Sequence, residues 1–182
     1  GNRFAIPQEI KLIKWLSREL AKINPTIPLL IRPYPNAMLF SQYEELLNQQ
    51  NIIIENLDTD GETVRFQKDS PEEKYRKISD AALFFHSGST IGLEASYLNT
   101  PVMFLAPDDF DYGVSASSPH HLLKYFQQRH LQKYLLHSFA PNIIRKKQDL
   151  PVVLKNALEN PDSFLDYNRD VSGLMNLKSV DE

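Results

Sequence analysis

The sequence predicts an α/β fold in which a parallel sheet is covered by helices on both faces. Short apolar runs at residues 27–31, 51–54, 81–85 and 101–105 have the length of buried strands, and the stretches between them repeat apolar residues at helical spacing. Brief turns join one to the next, and strand, helix and strand in that rhythm require right-handed crossovers and a parallel sheet.

Ile10, Ile13, Leu16, Leu20 and Ile23 recur with Lys11, Lys14, Arg18 and Lys22 between them, which predicts an amphipathic helix over residues 7–23 with Pro7 in its first turn. Asn24-Pro25 ends it, the run 27–31 is a strand buried on both faces, and Tyr34-Pro35-Asn36 turns the chain. Tyr43, Leu46 and Leu47 predict a helix over 41–50, followed by a second buried strand at 51–54. Asp58-Thr59-Asp60-Gly61 reads as a turn and 63–66 as a short strand. Ser70-Pro71-Glu72-Glu73 combines a cap residue, Pro in the first turn and Glu three residues after the cap, so a helix runs from there to about residue 79. A strand at 81–85, a helix at 90–98 and a strand at 101–105 follow, then helices at 120–126, 129–136 and 149–159 and a C-terminal tail at 161–182.

The chain has 182 residues, 20 Lys and Arg against 23 Asp and Glu, and no Cys. That is one domain, residues 1–182, with no linker or repeat. Without cysteine there is no disulfide framework, thiolate zinc site or cysteine nucleophile. A net charge of -3 gives no basic footprint for nucleic acid, and no apolar run reaches the roughly 18–20 residues that cross a bilayer. The chain begins Gly1-Asn2-Arg3 and enters its first helix almost at once, which reads as a fragment or a processed chain.

Ligands of parallel α/β sheets bind outside the carboxyl ends of the strands, which directs attention to Arg32, to the loop from His86 and to the loop after 105. His86-Ser87-Gly88-Ser89-Thr90 joins an apolar strand to a helix, so a small-residue turn, two hydroxyls and free backbone N–H groups meet at a helix start, as anion binding requires. Glu94 stands in the same helix, where a carboxylate can accept hydrogen bonds from a ribose diol. Helix capping is the plainer account of each of these residues taken singly.

The segment His86-Ser87-Gly88-Ser89-Thr90-Ile91-Gly92-Leu93-Glu94, with Leu98-Asn99-Thr100-Pro101-Val102-Met103, resembles the donor-binding half of GT-B glycosyltransferases. Leu30-Ile31-Arg32-Pro33-Tyr34-Pro35 is similar to the Arg-Pro-His-Pro segment of bacterial surface-polysaccharide and glycerophosphate transferases, with Tyr34 in the place of His. The resemblance implies a Rossmann-like domain, one half of a GT-B architecture, that binds a nucleotide-sugar or a nucleotide-activated polyol phosphate for transfer to a polysaccharide or glycolipid acceptor. It implies that an N-terminal acceptor domain or a partner chain is needed, so that the isolated domain would be inactive, and that no bound metal is required. It gives Ser87, Gly88, Ser89 and Thr90 contacts with the donor diphosphate, Glu94 the ribose, and His86 with Arg32 the stabilisation of the leaving phosphate. Asp108 and Asp109 occupy the place of a segment that contacts the donor sugar. The implied location is the cytoplasm, with the missing half as the part that meets the inner face of the membrane.

Each of these residues also has a structural alternative: Arg32 a salt bridge to a nearby acid, Asp108 and Asp109 a solvated turn, and Arg145-Lys146-Lys147 a solvated surface. His120-His121 are adjacent and therefore not at metal-ligating helix spacing. Ser87 and Ser89 lack the Gly-x-Ser-x-Gly elbow of a serine hydrolase, and neither a Gly-Lys-Ser/Thr phosphate loop nor a Gly-x-Gly-x-x-Gly dinucleotide motif is present. The alternatives to a transferase are a nucleotide-sugar 2-epimerase, whose loop usually carries Gly-Gly and paired acids, and a non-catalytic nucleotide-binding or assembly subunit.

Overall fold

The computed structural model describes residues 6–33, 43–49, 51–55, 57–59, 64–66, 70–87, 91–105, 107–127 and 142–165. They form a mixed α/β protein with parallel strands, divided into two compact units: residues 1–72 with 112–122, and residues 73–111 with 123–182.

The first unit is organised by α1 (Ile6–Ile23), whose apolar stripe of Ile6, Ile10, Leu16 and Leu20 is widened by Leu12 and Trp15, all buried. Asn24 stops the helix, because its Oδ1 accepts both the N–H and the hydroxyl of Thr26 and bends the chain at Pro25. Strands β1 (Leu29–Ile31) and β2 (Ile52–Ile54) then pair in parallel, with Leu29 opposite Ile52 and Ile31 opposite Ile54. Asn51 fixes this pair to α1: its Oδ1 accepts the Ser17 hydroxyl at 2.5 Å and its Nδ2 donates to the Ser17 carbonyl at 3.1 Å.

Three details of this unit differ from the expectation. Leu30 and Ile53 are not buried between two layers; they stand opposite each other in register, 47% and 52% exposed, so β1 and β2 have one covered face. An unbroken apolar run is compatible with either arrangement. In place of a helix over 41–50 there is a single 3₁₀ turn, Glu44–Leu46, because burial is satisfied at Tyr43 and Leu46 alone and a three-residue repeat brings those two onto one side while Leu47 stays outside. Residues 41, 42 and 50, like residues 34–36 where a turn is expected, lie outside the described residues. Asp58 and Thr59 belong to a strand, β3 (Leu57–Thr59), which pairs antiparallel with β4 (Val64–Phe66).

In the second unit, α2 (Pro71–Ser79) leads to β5 (Phe84–His86), α3 (Ile91–Tyr97) and β6 (Val102–Leu105). The start of β5 falls later than the apolar run suggested, because residues 80–83 are used to turn out of α2, with the Ala81 N–H donating to the Ile78 carbonyl. His86 thereby becomes the last residue of the strand rather than the first of the loop. Helix α3 ends in a Schellman motif: the Thr100 N–H reaches the Ala95 carbonyl, the Asn99 N–H reaches that of Ser96, and Asn99 takes the left-handed conformation at φ 58°. Pro101 follows, and the Thr100 hydroxyl donates to the Ile78 carbonyl at 2.9 Å, tying the end of α3 to α2.

After α4 (Leu122–Gln127), β7 (Ile143–Ile144) completes a parallel sheet of order β5-β6-β7. The chain continues through a 3₁₀ turn, Lys147–Asp149, into α5 (Leu150–Glu159) and a final 3₁₀ segment, Pro161–Phe164. The helix expected at 129–136 and the tail from 166 onward lie outside the described residues. The period-2 alternation of the strands sorts the core into two layers. Phe84 and Val102 pack with Ile78 and Ala95 of the α2 and α3 side, whereas Phe85 and Met103 pack with Val153, Ala157 and Phe164 of the α5 side. No helix among the described residues is long and apolar enough to cross a membrane.

Gln8 is the buried polar residue on which the first unit depends. Its Nε2 donates to the His120 carbonyl at 2.8 Å and its Oε1 accepts the Leu122 N–H at 2.8 Å, so one amide anchors residues 120–122 to α1. Gln8→Ala leaves both backbone groups without that partner and should cost about 2 kcal/mol or more. Urea unfolding followed by the fluorescence of Trp15, the single tryptophan, checks this; an unchanged midpoint would mean that water replaces the amide at no cost.

Candidate functional site

Because β5, β6 and β7 run parallel, the segments that leave them emerge at one edge of the sheet. His86 and Ser87 stand at the end of β5, residues 107–111 follow β6, and Arg145-Lys146-Lys147 follow β7. Two hydrogen bonds tie the last two segments together: the Asp108 N–H donates to the Arg145 carbonyl at 2.8 Å, and the Lys147 N–H donates to Asp109 Oδ1 at 2.9 Å. Asp109 therefore uses one carboxylate oxygen to hold the turn that opens towards α5, and Asp108 is bound through its backbone. Ser87 is half-buried, while Gly88, Ser89 and Thr90 lie outside the described residues.

The His86 ring does not stand among these loops; it is buried under α3. It meets the Phe104 ring edge to face, with centroids 5.0 Å apart, and lies so close to Gly92 that a Cβ there would come within 2.8 Å of Nε2. Glycine at 92 is the condition for α3 to sit this low on β5. Burial pushes the imidazole pKa down from 6.5 to about 3, so the ring is neutral near pH 7. Its structural part is to set the height of α3, and it brings no positive charge to a leaving phosphate.

Glu94, half-buried in α3, forms an ion pair with Lys74 of α2. Lys74 was not singled out from the sequence, and its place in an i, i+3 run of charged residues gives no sign of this partner. Arg32 belongs to the first unit, one residue beyond β1, and grips Glu55 one residue beyond β2: Nε donates to Oε2 at 2.6 Å and Nη2 to Oε1 at 3.1 Å. Parallel register brings the pair together, since the Glu55 N–H donates to the Ile31 carbonyl. The bidentate geometry is the one a phosphate would receive, and here a buried carboxylate receives it.

The first unit also has a half-open cleft of about 330 Å³ lined by Gln8, Lys11, Tyr112, Gly113 and His120. His120 and His121 precede α4 in a turn; His121 stacks edge-on against Tyr112 at 4.8 Å. Tyr43, in the core of this unit, has its hydroxyl pKa pushed up by burial and, secondarily, by the charge of Glu9. Among the described residues no three His, Asp or Glu side chains converge as metal ligands. Comparison of the chain with family models, with curated proteins and with solved structures finds no match.

Two outcomes follow for His86 and Gly92. Gly92→Ala should destabilise the protein by about 1–3 kcal/mol through overpacking, and adding His86→Ala should make the loss less than additive; strict additivity in urea unfolding would show that the ring and α3 do not press on each other. Acid supplies the second. Between pH 6.5 and about 3 the unfolded chain holds a proton on His86 that the native chain does not. The stability this group confers is complete above its unfolded pKa and lost as pH falls through that window, at up to about 1.4 kcal/mol per pH unit. Urea unfolding of the wild type should weaken with acid more steeply than that of His86→Leu, and parallel profiles would contradict the buried neutral ring.

Proposed function

We propose that the chain carries the Rossmann-like donor-binding half of a GT-B glycosyltransferase of the bacterial surface-polysaccharide type. The ligand is a nucleotide-sugar or a nucleotide-activated polyol phosphate, and the acceptor is a polysaccharide or glycolipid. The observation that carries this reading is the passage from β5 to β6. A short parallel strand ending at His86, a helix bearing Glu94, an Asn99-Thr100-Pro101 exit and a buried strand follow in the order that the resemblance demands. The three segments gathered at one sheet edge are where an α/β sheet receives a nucleotide.

On this reading the backbone N–H groups and hydroxyls of residues 87–90 meet the diphosphate, and they stabilise the charge that grows on it as the glycosyl bond breaks. Glu94 accepts the ribose hydroxyls and Lys74 holds that carboxylate in place. His86 supports the reaction by positioning α3. The acceptor and its general base come from an N-terminal acceptor domain or a partner chain, so the isolated chain binds donor without turning it over.

Calorimetric titration with UDP, CDP, CMP, GDP and ADP tests the reading. One nucleotide should bind selectively, and Glu94→Ala, or Ser89→Ala with Thr90→Ala, should weaken it about tenfold or more, the loss expected for hydrogen bonds to charged groups. Absence of binding by the chain, with native circular dichroism, would overturn the donor site and favour a non-catalytic assembly subunit.

A further inference from the structure

Residues 112–122 belong to the first unit, although the chain on either side of them belongs to the second. Within this segment residues 113–118 read Gly-Val-Ser-Ala-Ser-Ser. Side chains this short do not fill the space beside the first turns of α1, and the half-open cleft of about 330 Å³ is what remains. On the α1 side it is walled by Pro7 and Lys11, four residues apart and so on one face of the helix. The opposite wall is held in place: the Gln8 amide bonds both the His120 carbonyl and the Leu122 N–H, and the Tyr112 ring rests edge-on against His121.

Two groups give this cleft a chemical preference. Lys11 lies across Gly113, where a Cβ would fall on Nζ and come within 3.1 Å of Cε. Glycine at 113, with φ 75°, is therefore what lets the ammonium lie along the cleft wall. Ser118 Oγ accepts the His120 N–H at 3.1 Å, which leaves the hydroxyl its own proton to donate. Among the described residues that line the cleft there is no Asp or Glu, and Pro7, Tyr112 and Val114 supply apolar wall. We propose that the cleft binds a small organic anion, a carboxylate or phosphate head joined to a compact apolar body. The head meets Lys11 and Ser118, and the body lies on Pro7, Tyr112 and Val114. The cleft is near the bottom of the range of about 300–1,000 Å³ for small-molecule sites, which suits a single ring bearing one anionic group. It shares no residue with the donor site and acts independently of it.

The test is titration of the isotope-labelled chain, followed through its amide resonances, with benzoate, phenyl phosphate, inorganic phosphate and the uncharged benzamide. Benzoate or phenyl phosphate should shift the amides of Lys11, Gly113, Val114 and Ser118, and the tighter of the two identifies the head. Benzamide and inorganic phosphate each lack one half of the ligand and should bind about tenfold or more weakly. With native circular dichroism retained, Lys11→Gln should weaken the aromatic anion about tenfold and Ser118→Ala about threefold. Arg18→Gln, which removes an exposed charge of the same helix outside the cleft lining, should stay near wild type. Benzamide binding as tightly as benzoate would overturn the preference for an anion, and inorganic phosphate binding as tightly as phenyl phosphate would overturn the apolar body. Shifts confined to other residues, an equal loss in Arg18→Gln, or no response of the folded chain to either aromatic anion would overturn the site.

Discussion

The double-sided burial of β6 is the constraint on which the second unit rests. Val102, Met103, Phe104 and Leu105 are all removed from water, and alternate residues face opposite helical layers. Its two hydrogen-bonding edges are filled as well, by β5 on one side and β7 on the other. With both neighbours parallel, every connection must cross over a face of the sheet, and every strand delivers its following segment to one edge. The gathering of residues 87, 107–111 and 145–147 is thus a consequence of the parallel pairing around the buried β6, before any ligand is considered.

Charge is handled differently at the two places where strands end. Beyond β1 and β2 the ends are neutralised within the protein, Arg32 on Glu55, in a bidentate pair whose carboxylate is buried. Removing either partner there would strand the other, so the pair is a structural commitment. Beyond β6 and β7 the acidic and basic turns are joined by backbone hydrogen bonds and their side-chain charges are not cancelled against each other. The first arrangement spends its charge on order, and the second keeps it for solvent or ligand.

Much of this architecture was legible in the residues. Helix α1 follows from its apolar repeat, and β2, α2, β6 and α5 fall within a residue or two of the places their patterns indicate. What escaped was information that sequence does not encode locally. Leu30 and Ile53 look as apolar as their buried neighbours, and only the absence of a covering layer separates them. Strand β7 is two residues long, too short to have a period, and β3 hides in a run of Asp, Thr and Gly that reads as a turn. At the site, the loop from His86 and the helix with Glu94 were visible as a strand-to-helix passage. Their electrostatic partners were not: Arg32 and Glu55 are 23 residues apart, Lys74 and Glu94 are 20, and Asp109 and Lys147 are 38. The role of His86 turned on where β5 ends, one residue beyond the apolar run, with His86 paired to Phe104 in the ladder.

The left-handed Asn99 has an evolutionary consequence. Only residues that tolerate a positive φ can close α3 by this route, so drift at position 99 is confined in practice to Asn, Gly and Asp, while a β-branched residue there would carry about 1–2 kcal/mol of backbone strain. The adjoining Thr100 is held by its hydroxyl bond to Ile78. A descendant of this chain could therefore rewrite most of its exposed surface before it could alter the two residues that bring α3 to an end.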